Sequence, residues 1–250
     1  MTAQIGDIYK DCNLEYSILE KSNEGLFDPH DYYLLPSELN TACLLGYWCE
    51  YEIAHDRLMI QTLHVHDKEG FYPPINGVKI SPMEYMPALK AVDEGFIPTQ
   101  IPRHMGAQTY EHLDLIVPYT GKLLLAANPI KEYYFHLGCY EPPFAFGKLQ
   151  SFEFDNGILK DVIDHGEVAR LVRQMIDSNG ERKTLDDENL AKRLPESVRE
   201  TLWWYKVKEA RRRKHERERT EGWDMQKLNE GIEKIRKIER LRDKMRAEIY

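Results

Sequence analysis

The sequence predicts an α+β protein. A duplicated, β-rich N-terminal domain spans residues 1–165, and an α-helical C-terminal extension over 166–250 ends in a coiled-coil-like helical hairpin. Three observations carry this reading. Up to His165 the apolar residues fall at every second position in short runs. From Gly166 onward they recur at every third or fourth. The charge changes sign at the same place: residues 1–165 hold 11 Lys+Arg against 24 Asp+Glu, or -13, and residues 166–250 hold 23 against 18, or +5, which together return the net -8.

The strands follow in order. "DIYK" and "EYSIL" are short, aromatic and β-branched, and "KSNEG" after them reads as a turn. "ACLLGYWCEYEI" and "RLMIQTLHVH" form a hairpin around "AHD". In its first arm Tyr47, Cys49, Tyr51 and Ile53 share one face, with Trp48, Glu50 and Glu52 on the other. "SPMEYMPALKAVDEG" is read as a short helix inside a proline-rich connector. "DLIVPY", "KLLLAA", "EYYFHLGCY", "KLQSFEF" and "ILKDVI" are further strands, and Asn156-Gly157 is a strong hairpin turn because both positions favour positive φ.

The two strand sets, about 1–80 and 105–165, correspond. Pro29 and Tyr33 match Pro129 and Tyr133 at an offset of 100, while Gly46, Glu52 and Leu58 match Gly147, Glu153 and Leu159 at an offset of 101. Self-similarity of this kind is the mark of an internal duplication. The second hairpin is read as lacking the histidine pair that ends the first.

In the extension, Val168, Leu171, Val172, Met175 and Ile176 form one helical stripe. Thr184 or Asp186 caps a short helix, and Pro195 suits the first turn of the next. The last helix carries Met225, Leu228, Ile232, Ile235, Ile238, Leu241, Met245 and Ile249 at near-heptad spacing. Glu230 with Lys234 and Glu233 with Lys237 add i,i+4 pairs. Such a stripe needs a partner helix: residues 196–219 folded back, another protein, or self-association through 225–249.

Composition narrows the class. No apolar run approaches the roughly 20 residues that span a bilayer, and "MTAQIGDIYKDCNLEY" lacks the pattern of a secretory signal. The expected compartment is the cytoplasm, with no membrane partner. The four cysteines, Cys12, Cys43, Cys49 and Cys139, include no CxxC pair and are read as free thiols.

Three functional readings compete. The leading one is a protein-binding protein, either a complex subunit or an immunity-type inhibitor of a basic partner, using the acidic and aromatic hairpin faces through Trp48, Glu50, Glu52 and Glu153. The second is a metal-dependent or carboxylate-based enzyme centred on His64, His66 and Glu69. "LHVHDKE" resembles the His-x-His-plus-Glu motif of cupins, but it lacks that motif's leading glycine, brings Glu69 close and has no second motif with a third histidine. No cofactor is required by any motif, and a divalent metal is the one this set would hold. The third is a nucleic-acid-associated factor using the basic helix 206–219, with Arg211, Arg212, Arg213 and Lys214 on phosphates. No P-loop, dinucleotide fingerprint, nucleophile elbow or zincin helix is present.

Overall fold

The structure is a computed structural model that describes residues 4–12, 14–92, 95–133, 142–179, 202–221 and 224–249. The first part supplies eleven strands: β1 (Ile8–Asp11), β2 (Leu14–Lys21), β3 (Tyr47–Ala54), β4 (Arg57–Val65), β5 (Tyr85–Val92), β6 (Gly95–Pro102), β7 (Gln108–Tyr110), β8 (Leu115–Ile116), β9 (Gly121–Pro129), β10 (Phe146–Asp155) and β11 (Ile158–Asp164). Three helices follow: α1 (Gly166–Asn179), α2 (Trp203–Glu221) and α3 (Met225–Ile249). The architecture is mixed α+β, as the periodicity predicts.

Seven strands close into a barrel in the order β11-β10-β9-β2-β1-β3-β4, and β4 returns to β11. Only the β1–β3 pair is parallel. Closure is local. Arg57 pairs with Ile158, Leu58 N donates to Gly157 O at 2.8 Å, and Leu159 N donates to Asp56 O at 2.8 Å. The tips that meet here are two-residue turns, His55-Asp56 (φ 51 and 60) and Asn156-Gly157 (φ 48 and 76). Both have the left-handed pair that suits the twist of a hairpin.

The two hairpins share more than a turn. Glu50 faces Thr62 on β4, and 101 positions later Ser151 faces Ile163 on β11. Each hairpin then shifts register once, between Glu50 and Tyr51 and between Glu153 and Phe154. Beyond the hairpins the correspondence stops, because β3 borders β1 in parallel and β10 borders β9 antiparallel. Pro29 opens a 3-10 turn, whereas Pro129 ends β9.

The alternation read in β3 holds: Cys49 and Tyr51 lie in the barrel core with Leu58, Ile60, Leu63 and Val65 of β4. β9 does not alternate, because both its faces are buried. Leu123, Leu125 and Ala127 fill the barrel, and Leu124 and Ala126 lie under α1 beside Phe146, Leu149, Val172, Ile176 and Trp204. The change at residue 165 is therefore one of secondary structure and not a break in packing. Leu171, placed on the apolar stripe of α1 by its spacing, is exposed.

Three expectations are corrected. "SPMEYMPALKAVDEG" forms no helix, and β5 pairs with β6 as a separate two-stranded sheet. Pro87 would remove a hydrogen bond and clash inside a helix, but an edge strand accepts it. "DLIVPY" contributes only Leu115 and Ile116 to the sheet. The helical hairpin is also absent from the described residues: every residue from Asp224 to Lys237 is exposed, so this half of α3 buries no side chain, and Lys234 touches the body through an ion pair. The cause is α2, whose stretch after Val207 is almost wholly charged and has no apolar face to offer. Most of "EYYFHLGCY", Cys139, Thr184, Asp186 and Pro195 lie outside the described residues. Among the described cysteines, Cys43 and Cys49 are buried free thiols and Cys12 is exposed. No described helix is long and apolar enough to cross a membrane.

Gly157 is the most constrained closing residue. At φ +76, a Cβ there would stand 2.3 Å from Val117 O. Gly157→Ala should cost at least about 2 kcal/mol, read as a lower urea midpoint. Substitution at Gly25, where a Cβ would meet nothing within 4 Å, should cost less.

Candidate functional site

On the outer face of the barrel, β3, β4 and β7 align Trp48, His64 and Thr109 in one cross-strand row. The Trp48 and His64 rings stack at 4.5 Å, and the His104 ring lies 4.2 Å from that of His64 and 6.3 Å from that of Trp48, so the three rings form a triangle. His64 is buried, with Nδ1 3.0 Å from Thr109 Oγ1 and Nε2 3.4 Å from Glu50 Oε1. Lys10 Nζ donates to Glu50 Oε2 at 2.5 Å. Burial pushes the Glu50 carboxyl up, but the hydrogen bonds from His64 and Lys10 outweigh it and hold the carboxyl at about 2. Burial, reinforced by His64, pushes the His104 imidazole down. A hydroxyl, an imidazole and a carboxylate thus stand in line, with Glu50 kept ionised and orienting the His64 ring toward Thr109. The row borders a cleft lined by Ser81, Glu84, Arg103, His104, Thr109 and Glu111. His104 lines it from a segment, His104-Met105-Gly106, with three successive positive φ values of 49, 55 and 90.

The proposed metal set is not assembled. His64 faces Glu50 and Thr109. His66, just past the end of β4, places Nδ1 3.2 Å from Ser37 O. Glu69 accepts from Arg246 at 2.9 Å. Among the described residues no group of three or more His, Cys, Asp or Glu is arranged to hold a metal ion.

The second hairpin does carry a counterpart of His64. His165 stands 101 positions later and is likewise buried, with Nε2 2.6 Å from Ser151 Oγ. Ser151 occupies the place of Glu50. Trp203 Nε1 donates to Ser151 Oγ at 2.8 Å, so the hydroxyl is left to donate to the neutral imidazole. Trp204 meets the ring edge-on at 4.9 Å. Burial pushes His165 down to about 4. The histidine at the end of "VIDH" is its signal in the sequence, one residue past the end of β11.

Among the described residues the most heavily bonded carboxylate is Asp67. Its oxygens accept from the backbone N–H groups of Leu35 (2.7 Å), Glu69 (3.0 Å) and Phe71 (3.1 Å). They also accept from both terminal nitrogens of Arg242, at 2.9 and 2.7 Å. The two side chains are 0% and 1% exposed. The guanidinium lies 4.9 Å from the Phe71 ring centroid. Arg242 Nε is buried and finds no hydrogen-bond partner among the described residues. Burial pushes the Asp67 carboxyl up, but Arg242 and the three backbone donors more than offset this, and the net shift is downward. Arg246 pairs with Glu69, and Lys234 reaches Asp28 (2.7 Å) and Asp31 (3.0 Å) instead of the helix's own glutamates. Nothing in the sequence marks Arg242, which lies between Leu241 and Met245 on the apolar spacing.

The other expected site residues have partners within the chain. Trp48 is buried under the His64 row and is no exposed aromatic. Glu52 accepts from Gln61 at 2.5 Å, and Glu153 pairs with Lys122 at 3.1 Å. In the basic helix, Arg211 binds Glu20 and Lys21 O, Arg213 binds Glu209, Arg212 approaches Glu216 at 3.9 Å, and Lys214 approaches Glu24 at 3.6 Å.

Two measurements check these environments. His165 has a folded pKa near 4 against about 6.5 unfolded, so the unfolded chain takes up the proton first. Stability should be fully present above pH 6.5 and fall by up to about 3 kcal/mol as the pH drops to 4. In His165→Gln this slope should flatten, read by urea denaturation across that window. For the Asp67 pair, Asp67→Asn should cost about 3–5 kcal/mol. Arg242→Met leaves the three backbone donors of Asp67 in place, so it should cost less and appear in hydrogen exchange as lost amide protection confined to 238–249.

Comparison with protein-family models, curated proteins and solved structures returned no match for this chain.

Proposed function

We propose that the protein is a protein-binding subunit and that its contact element is the first half of α3. One observation carries this reading: from Met225 to Lys237 α3 is helix with every residue exposed. Within that stretch Met225 (60%), Leu228 (48%), Ile232 (39%) and Ile235 (41%) make an apolar stripe over two heptads. An isolated helix of about 12–15 residues is marginal in water, and this one also exposes apolar area. A partner protein that covers the stripe supplies the missing stabilisation. The hairpin faces contribute less, since Trp48 is buried and Glu50, Glu52 and Glu153 are engaged within the chain. The matched turns, registers and histidines favour descent of the two hairpins from one duplicated unit, which makes them frame before surface.

The direction of the helix face supports the same role. At about 100° per residue the stripe from Met225 to Ile235 points about a third of a turn away from that of Ile238, Leu241 and Met245. The second half turns to the barrel, where Ile238 and Arg242 are buried, and the first half turns elsewhere.

A photo-crosslinking residue at Ile232 should capture a protein in intact cells, and one at Glu153 should not. Adding Leu228→Glu should reduce the capture at least about tenfold while leaving barrel stability within about 0.5 kcal/mol. No adduct at Ile232 would overturn the reading.

A further inference from the structure

We propose that the partner is a second copy of this chain and that α3 is exchanged between the two copies, each seating its Arg242 in the other's Asp67 socket. This rests on the protein-binding reading of α3 and names its partner.

The socket is built by the barrel alone. Leu35 N, Glu69 N and Phe71 N hold the Asp67 carboxylate in place without any help from α3. Phe71 offers its ring to a guanidinium, and Glu69 waits beside it. Such a preformed site accepts an arginine from either copy on equal terms.

The grip of α3 is detachable. Its described polar links to the body are side-chain pairs: Lys234 to Asp28 and Asp31, Arg242 to Asp67 and Glu69, and Arg246 to Glu69. All the cations come from the basic extension and all the carboxylates from the acidic barrel, so the chain is complementary to itself. Self-complementarity is what a twofold dimer requires.

The division along the helix selects exchange over a foreign partner. In an exchanged dimer the far half of each α3 remakes the same contacts on the other barrel, at no net loss. The near halves, next to where each chain leaves its own α2, run beside the twofold axis. The bare stripe of Met225, Leu228, Ile232 and Ile235 lies in that near half. Exchange thus buries the one apolar surface of α3 that the single chain leaves open. Short connections between exchanged elements favour such dimers, and only three residues separate Glu221 from Met225.

The test uses the full chain in a Cys12→Ser background, since Cys12 is exposed. Glu69→Cys and Arg246→Cys, two partly exposed positions that face each other across the clamp, are placed on separate chains and co-expressed. A short bismaleimide is then added. Exchange predicts an inter-chain adduct at twice 29.4 kDa in the mixture and none with either variant alone. Statistical pairing makes about half of the dimers mixed. Leu228→Glu on both chains should remove the adduct, and light scattering on the wild-type chain should give the dimer mass. If Ile232 captures protein in cells but the mixture gives no adduct, exchange is overturned and the binding role stands. If Ile232 captures nothing and the wild-type chain stays monomeric at millimolar concentration, both fall.

Discussion

Two backbone hydrogen bonds between hairpin tips turn this sheet into a barrel. Leu58 N to Gly157 O and Leu159 N to Asp56 O join β4 to β11, and without them the sheet would have two free edges inviting foreign strands. Most of what is described above depends on that closure. It sets the apolar sides of β3, β4, β9 and β10 around one core. It leaves the outer faces to carry the two histidine rows, one under the His104 segment and one under α2. The turns that make the closure must be left-handed at both positions, which is why a glycine with no room for a side chain stands in one of them.

Charge acts at the next level. The split between -13 and +5 reads in the sequence as a hint of two surroundings, yet in the fold the two parts neutralise each other. Arg211 meets Glu20, Lys234 meets Asp28 and Asp31, and Arg242 meets Asp67. The exposed pairs contribute little individually. Arg242 and Asp67 differ because both are dry and multiply bonded: removing Asp67 strands the Arg242 charge, whereas Asp67 without Arg242 keeps its three backbone donors. In the basic helix, Arg211 and Lys214 turn to the barrel side, while Arg212 and Arg213 pair with glutamates of the helix itself.

The sequence made visible what a local period can encode. Alternation places Tyr47, Cys49, Tyr51 and Ile53 on one face of β3, and Asn156-Gly157 marks the turn between β10 and β11. His55-Asp56 makes the same turn without a glycine, so only its length between strands was legible. β5 reads as helix because Met, Ala, Leu and Lys favour one, and Pro87, inside that stretch, is the residue that argues against it. The candidate site was legible in pieces. His64 and Glu50 could be placed on one face, but the approach of Thr109 and His104 from β7 and the segment before it depends on pairing over some forty residues. Arg242 was hidden because a buried arginine looks like any other helix cation until its carboxylate is known.

β9 gives the molecule a further property. Leu123 and Leu125 belong to the barrel interior, Leu124 and Ala126 to the layer beneath α1 and Trp204. A strand with two inner faces cannot lose one cover and keep its other contacts undisturbed, so the barrel and the helical layer melt as a single cooperative unit. Drift is restricted there as well, since a polar residue at any of these four positions enters one core or the other. Among the described residues α3 and the β5–β6 sheet lie outside that unit, α3 joined to the body by ion pairs and the buried Ile238.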